Sequence, residues 1–465
     1  MKIYYFIALA LILQVLIIMG ATAHQKEGDQ LWQAGVARVA ITPDEPMWMA
    51  GYASRDRPSE GTLHELWAKA LVLEDINQNR MVFISTDLVG IPKAISDRIR
   101  ENLKVKYGLV KDQILLNSSH THTGPALHDP LREYQILPQY LNQVKLYSKK
   151  LESQIVDLVG QAMQSMKPSK IYSENGVTRF QVNRRNNNEA TLNQQMQLNG
   201  PNDYDVPVIK VMDDQQNIFA ILFGYACHNT VLSGYQWSGD YAGFAQIELE
   251  SLYPGTTALF FQGAGGDQNP LPRRTVELAK KYGKELAGAV ECVLNGNMKS
   301  LSPHLSVSYS DLKLPLDEVP NREELVRMER KYTGVEKQWA KGMLDKIDQG
   351  ETLMTSYPYP VQVLKLGSQI IVGLGGELVI DYAIKLKQLF GRDIFVFGYS
   401  NDPNCAYIPS TRIIREGGYE GFSSLYHKGF PSTWSPLTEI KILHEVVRLA
   451  ETIGASPIQV KLIKD

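Results

Sequence analysis

Cysteine is scarce in this chain: Cys227, Cys292 and Cys405 are the only three in 465 residues. So few thiols over such a length exclude a disulfide framework as the source of stability. Charge bias is also missing. The 48 basic and 50 acidic side chains leave a formal net charge of -2, without the basic surplus by which nucleic-acid binders hold a phosphate backbone. Beyond the N-terminus no apolar run is long enough to span a bilayer, and there is neither an internal repeat nor a low-complexity tract. What the chain does have is an ordinary 44 % of hydrophobic residues, which excludes disorder and points to a globular core.

The first residues read as an export signal. Lys2 precedes an apolar run from Tyr4 to Met19, and Ala21-Thr22-Ala23 places small residues where a signal peptidase cuts. Residues 1–23 are therefore expected to be a cleaved signal peptide and residues 24–465 an exported domain, periplasmic or secreted. An uncleaved anchor is the rival. No cysteine stands near Ala23, so no lipoprotein anchor is expected, and after cleavage no membrane span remains.

Strands and helices are intermixed. Leu31–Ile41 reads as a strand, and Ala68–Glu74 with Met81–Ser85 as a hairpin. Ile95–Tyr107 and Leu141–Met166 are expected helices, the second stopped by Pro168. Val208–Met212 with Ile218–Tyr225, and Val361–Leu366 with Gln369–Leu374, are further hairpins. Asp240–Leu252, Val276–Leu294, Leu378–Leu389 and Leu437–Ile453 read as helices, and Ala258–Gln262 and Ile394–Phe397 as strands. Leu325, Met328, Tyr332, Val335, Trp339 and Met343 fall at steps of three and four, one face of a single helix. No Pro/Gly/Ser-rich linker divides the series. The expected fold is one large α/β domain of mixed β-sheets surrounded by helices.

Several apolar strands run into loops rich in histidine, glycine and carboxylates. Ile114-Leu115-Leu116 leads to Ser119-His120-Thr121-His122, Leu222-Phe223-Gly224 to Cys227-His228, Ile371-Val372 to Gly375-Gly376-Glu377, and Phe395-Val396-Phe397 to the segment ending at Tyr407. If these strands share a sheet, their carboxyl ends converge, which is where open α/β sheets bind ligands. His-x-His on a strand-like backbone would point both rings to one side, and catalytic zinc takes three or more such ligands with a position kept for water. Structural histidines and a helix-capping glutamate are the alternatives. Gly263-Ala264-Gly265-Gly266-Asp267-Gln268-Asn269-Pro270 lacks the Lys-Ser/Thr of a phosphate loop. Its glycines suit close backbone approach. Asn117-Ser118-Ser119 matches a glycosylation sequon, but its place at a strand end marks it as a chance match.

The order of these motifs, with Gly35-Val36-Ala37, Ile41-Thr42-Pro43, Gly51-Tyr52, His64 through Ala70, Gly124-Pro125, Asn183-Arg184 and Tyr419-Glu420-Gly421, resembles the neutral/alkaline ceramidases across nearly all of the mature chain. The resemblance implies one zinc ion (Zn2+) bound by His120, His228, Glu377 and Tyr407. It also implies that His122, Arg184 and Tyr419 polarise the substrate carbonyl and handle the proton. The twelve-residue step from Tyr407 to Tyr419 matches the family's spacing. Zinc lowers the pKa of a water to about 7, giving a hydroxide that attacks an amide or ester carbonyl.

Two departures bear on the substrate. Asn269 stands where ceramidases carry a serine, which excludes a serine nucleophile there but leaves a hydrogen-bond donor for an oxyanion. The immunoglobulin-like domain that follows the catalytic domain in ceramidases is likewise expected to be absent. The expected activity is zinc-dependent hydrolysis of an N-acyl bond, on a small-molecule, lipid or glycan acyl substrate other than long-chain ceramide. An esterase or deacetylase of a decorated glycan and a non-catalytic binding protein are the alternatives. Asp87 and Asp240 are candidates to orient a ligand imidazole, Cys227 and Cys405 a candidate pair, and His64, His128, His304, His427 and His444 structural or surface residues.

Overall fold

Alternation of side chains along each strand sets the layers. A computed structural model describes residues 31–130, 136–402 and 406–459, so the expected signal peptide lies outside the described residues. The larger sheet contains β1 (Trp32–Ala40), β2 (Trp67–Glu74), β3 (Arg80–Thr86), β4 (Ile114–Ser118), β5 (Lys167–Val177), β6 (Asp205–Asp213), β7 (Ile218–Tyr225) and β8 (Thr257–Gln262). Its order is β8-β7-β6-β5-β1-β2-β3-β4, with the short strand Lys299–Leu301 beside β5. A second sheet is formed by β9 (Leu305–Pro315), β10 (Ser356–Leu366), β11 (Gln369–Leu374) and β12 (Phe395–Phe397), in that order.

One face of the larger sheet packs on helices. Ala68, Ala70, Val72, Val82 and Ile84 meet α1 (Lys93–Tyr107) and α2 (Pro138–Gln164). Val208, Phe223 and Phe260 meet α3 (Asp240–Leu252) and α4 (Val276–Leu294). The intervening residues Leu71, Phe83, Leu115, Leu222 and Phe261 point the other way, onto Leu364, Ile371, Phe395 and Phe397 of the second sheet. The far face of that sheet is covered by α5 (Arg322–Lys331), α6 (Gly334–Asp348), α7 (Ile380–Phe390) and α8 (Thr438–Thr452). The result is a four-layer helix–sheet–sheet–helix α/β domain. Among the described residues no helix is long and apolar enough to cross a membrane.

Three expectations change. Pro168 does end α2, but it also opens β5, where a proline near a strand start is tolerated. The face running from Leu325 to Met343 belongs to two helices, because Thr333 is extended and Gly334 takes φ +60°. The strand ends do converge, but from two sheets. Asn117 at the end of β4 ties the edges together. It donates to Gln262 O (3.3 Å), Gly398 O (2.8 Å) and Ser400 Oγ (3.1 Å), and Gln262 N donates back to Asn117 Oδ1 (2.8 Å). Fully buried, Asn117 offers no glycosylation site.

Candidate metal and active site

Parallel pairing aims the carboxyl ends of β3 and β4, of β7 and β8, and of β11 and β12 in common directions. The loops beyond β4, β7, β11 and β12 carry His120 and His122, His228, Glu377 and Tyr407 to one place. A short parallel pair sets Glu377 opposite Tyr407. His120 is not strand-like: its φ is +61°, an uncommon conformation for a residue with a side chain. The two rings nevertheless meet, with His122 Nε2 3.1 Å from His120 Nε2. Gly51 makes room for this, since a Cβ there would fall 2.6 Å from the Cβ of His122. A Cβ on Gly266 would likewise strike the Glu377 carbonyl at 2.6 Å, so the glycine loop lets the strand tips close on one another.

The hydrogen bonds fix which atoms face inward. His120 Nδ1 lies 2.6 Å from Val89 O, and His228 Nδ1 lies 2.6 Å from Gly265 O. A carbonyl oxygen only accepts, so each Nδ1 bears a proton and each Nε2 is the nitrogen left to face inward. Glu377 Oε2 lies 3.2 Å from both Nε2 atoms. Tyr407 Oη is 3.4 Å from His228 Nε2. The ligand atoms of His120, His122 and His228 all lie within 4.8 Å of one another. Imidazole nitrogens, a carboxylate oxygen and a phenol thus converge in a buried pocket, an arrangement that a cation would hold together. Neutral imidazole, carboxylate and phenol are together a donor set that suits zinc.

Burial drives the protonation states. It lowers His228 to about 4, with Arg184 adding to the effect, and it lowers His122 well below the usual imidazole range. Burial also raises the Tyr407 phenol, helped by Glu377 and opposed by Arg184. Glu377 goes the other way. Burial alone would raise it, but Lys428 and His120 hold it well below the usual carboxylate range.

Arg184 links this centre to the surface. Its guanidinium donates to Tyr407 Oη (3.1 Å), Glu420 Oε1 (2.7 Å) and Asn269 Oδ1 (3.4 Å). Tyr419 stands edge-on to Tyr407 with centroids 5.3 Å apart, and is 44 % exposed. His122, Arg184, Asn269 and Tyr419 therefore border the pocket that His120, His228, Glu377 and Tyr407 line.

Asp87 and Asp240 do not orient the imidazoles, and backbone carbonyls take that place. Asp87 accepts from Trp67 N and Gln246 Nε2. Asp240 accepts from the amides of Val231, Leu232 and Tyr241. Both tie loops together. Cys227 is buried and free, while Cys405 lies outside the described residues. Two groups escaped the sequence reading. Lys428 donates to Glu377 Oε1 at 2.7 Å, and Tyr399 packs its ring 4.6 Å from that of His120. A lysine after a short helix carries no sequence signal for burial. Tyr399 stands in a strand-end loop of the kind that supplies the other site residues.

The chain matches the family profile "Neutral/alkaline non-lysosomal ceramidase, N-terminal" over residues 32–292, more than half its length. It is 28 % identical over 269 residues to neutral ceramidase A of Dictyostelium discoideum, covering 53 % of this chain and 37 % of that one. It is 23 % identical over 275 residues to the neutral ceramidase of Pseudomonas aeruginosa, covering 55 % and 39 %. The matches thus span well under half the length of these relatives. The crystal structure of the Pseudomonas aeruginosa enzyme superposes with a TM-score of 0.70 at 19 % identity, over 93 % of this chain and 76 % of that one. The chain belongs to the neutral/alkaline non-lysosomal ceramidase family.

Proposed function

We propose that this protein is an exported, zinc-dependent hydrolase that cleaves an acyl bond, an amide in the leading reading. The observation that carries the proposal is the convergence of ligand-type atoms: the Nε2 atoms of His120 and His228 each lie 3.2 Å from the same carboxylate oxygen of Glu377, with their Nδ1 atoms already committed to backbone carbonyls. His120, His228, Glu377 and Tyr407 would hold the ion. When bound, zinc supplies an acidified water and a polarised carbonyl.

The remaining steps belong to the chain itself. His122, next to the ligand rings and lowered well below the usual imidazole range by burial, is suited to accept the proton from water and pass it to the leaving group. Arg184 is held by Glu420 and aimed at Tyr407, so its positive charge lies beside the reacting carbonyl. Tyr419 carries a protonated phenol, raised to about 12 mainly by burial, and can donate to the developing oxyanion. Asn269, bonded through its oxygen to Arg184, leaves its amide N–H groups for the same task. Each such donor contributes roughly 3 kcal/mol in comparable sites.

The test is acyl release from a panel of short N-acyl and O-acyl compounds, with purified protein, before and after chelation and after zinc is restored. Turnover lost on chelation and recovered with zinc is expected. Undiminished turnover after the metal is removed would overturn the reading. Hydrolysis of esters with no amide cleavage would favour the esterase alternative.

A further inference from the structure

Beside the centre lies a polar cavity that shares Arg184, Asn269 and Tyr419 with it. The cavity, of about 780 Å3, opens beyond Arg184 and Asn269 and is walled by Arg185, Arg273 and the loop carrying Asn186 and Gln195. It is as large as pockets that hold a drug-sized ligand. Only two of its lining side chains offer apolar surface: Leu271, which is 7 % exposed, and the ring of Tyr419 at 44 %. A hydrocarbon chain entering here would exchange water largely for amides and guanidinium groups, and would gain little hydrophobic burial.

The charges are largely compensated. Arg184 and Arg185 share Glu420, at 2.7 and 2.6 Å, and Arg273 pairs with Glu189 at 2.9 Å. Three guanidinium groups and two carboxylates line the cavity, which leaves one surplus positive charge, too little for a polyphosphate. Donors and acceptors instead alternate around the wall. The guanidinium and amide N–H groups of its lining residues donate, and their amide and carboxylate oxygens accept. Hydroxyl groups satisfy both kinds at once. The exposed Tyr419 ring gives the apolar C–H face of a sugar ring a surface to lie on.

We infer that the acyl group this protein removes is carried by a carbohydrate. The sugar occupies the cavity and its acyl carbonyl reaches the centre behind Arg184. This rests on the acyl-hydrolase reading above. The C–N or C–O bond of the acyl group breaks, the oxygen of water joins the carbonyl carbon, and the proton goes to the sugar amine or hydroxyl. The products are a carboxylic acid and the deacylated sugar, with no oxidant or reductant consumed.

The experiment has a binding arm and a turnover arm, both on zinc-supplemented full-length protein. Saturation-transfer NMR is run with N-acetylated chitobiose and O-acetylated xylobiose, and kcat/KM is measured on both and on N-acetyl and N-palmitoyl sphingosine in micelles. Binding of at least one saccharide is expected, weakened about tenfold by Gln195→Leu and by Arg273→Met, because each replaces a polar lining residue of the cavity with an apolar one. Turnover on that saccharide should exceed turnover on either sphingosine amide by tenfold or more. The inference is overturned if neither saccharide binds, if both variants bind as the parent does, or if the sphingosine amides are preferred. If nothing on the panel is cleaved, the acyl-hydrolase reading fails, and the NMR arm still decides what the cavity accepts.

Discussion

Lys428 and Glu377 meet through a single oxygen. The ammonium lies 2.7 Å from Oε1, and Oε2 of the same carboxylate stands 3.2 Å from the Nε2 atoms of His120 and His228. The lysine thereby occupies one carboxylate oxygen and fixes the other toward the two histidines. Both side chains are buried, at 11 % and 3 % exposure, so solvent screens the pair little.

Removing the lysine should therefore cost stability before it costs chemistry. Lys428→Met leaves Glu377 buried without a cationic side chain against Oε1, and loss of one partner of a buried pair costs about 3–5 kcal/mol. Urea unfolding of the metal-free variant should show a loss of that order, and added zinc should recover part of it, because zinc supplies the missing positive charge. Unchanged stability of the metal-free variant would contradict this.

His122→Ala and Tyr419→Phe should keep the metal and lose turnover by roughly a hundredfold or more, the scale of a lost proton shuttle or oxyanion donor. Metal content and kcat are read on the same preparations. His122 Nε2 lies only 3.1 Å from His120 Nε2, so the metal assay carries weight here. Loss of zinc in His122→Ala would make His122 a ligand.

Asp240 gives a pH signature. Burial raises its carboxyl to about 6 in the folded chain, from 3.8. Between those values the folded state holds more protons than the unfolded one, so the contribution of this group to stability falls as pH rises from about 4 to about 6 and is level above that. Asp240→Asn removes the titration. The stability advantage of the parent over the variant should therefore shrink across that window, by up to about 3 kcal/mol, in unfolding titrations run at each pH. An advantage that grows with pH would refute the assignment.

Much of this fold is legible in the sequence because its strands have distinct faces. Ala68, Ala70 and Val72 alternate with Lys69, Leu71 and Leu73, and both sets are buried, which marks a sheet covered on both sides. The loops after Leu116, Tyr225 and Leu374 announce themselves by packing histidines and glycines against apolar runs. β9 escapes such reading. It is an edge strand whose residues Ser306 to Lys313 are all at least partly exposed, and the alternation of Leu305, Val307 and Tyr309 with serines breaks at Asp311. Lys428 escapes for another reason, since its role depends on a carboxylate 51 residues away in sequence. The polar cavity beyond Arg184 is likewise assembled from segments far apart in the chain, and composition alone does not locate it.

Anomalous diffraction from zinc-grown crystals, recorded at the zinc edge, tests the centre most directly. One strong peak bounded by His120 Nε2, His228 Nε2, Glu377 Oε2 and Tyr407 Oη, and absent from His228→Ala, is the expected result. No peak there, or the same peak retained when His228 is replaced, would contradict the metal site on which the proposed chemistry depends.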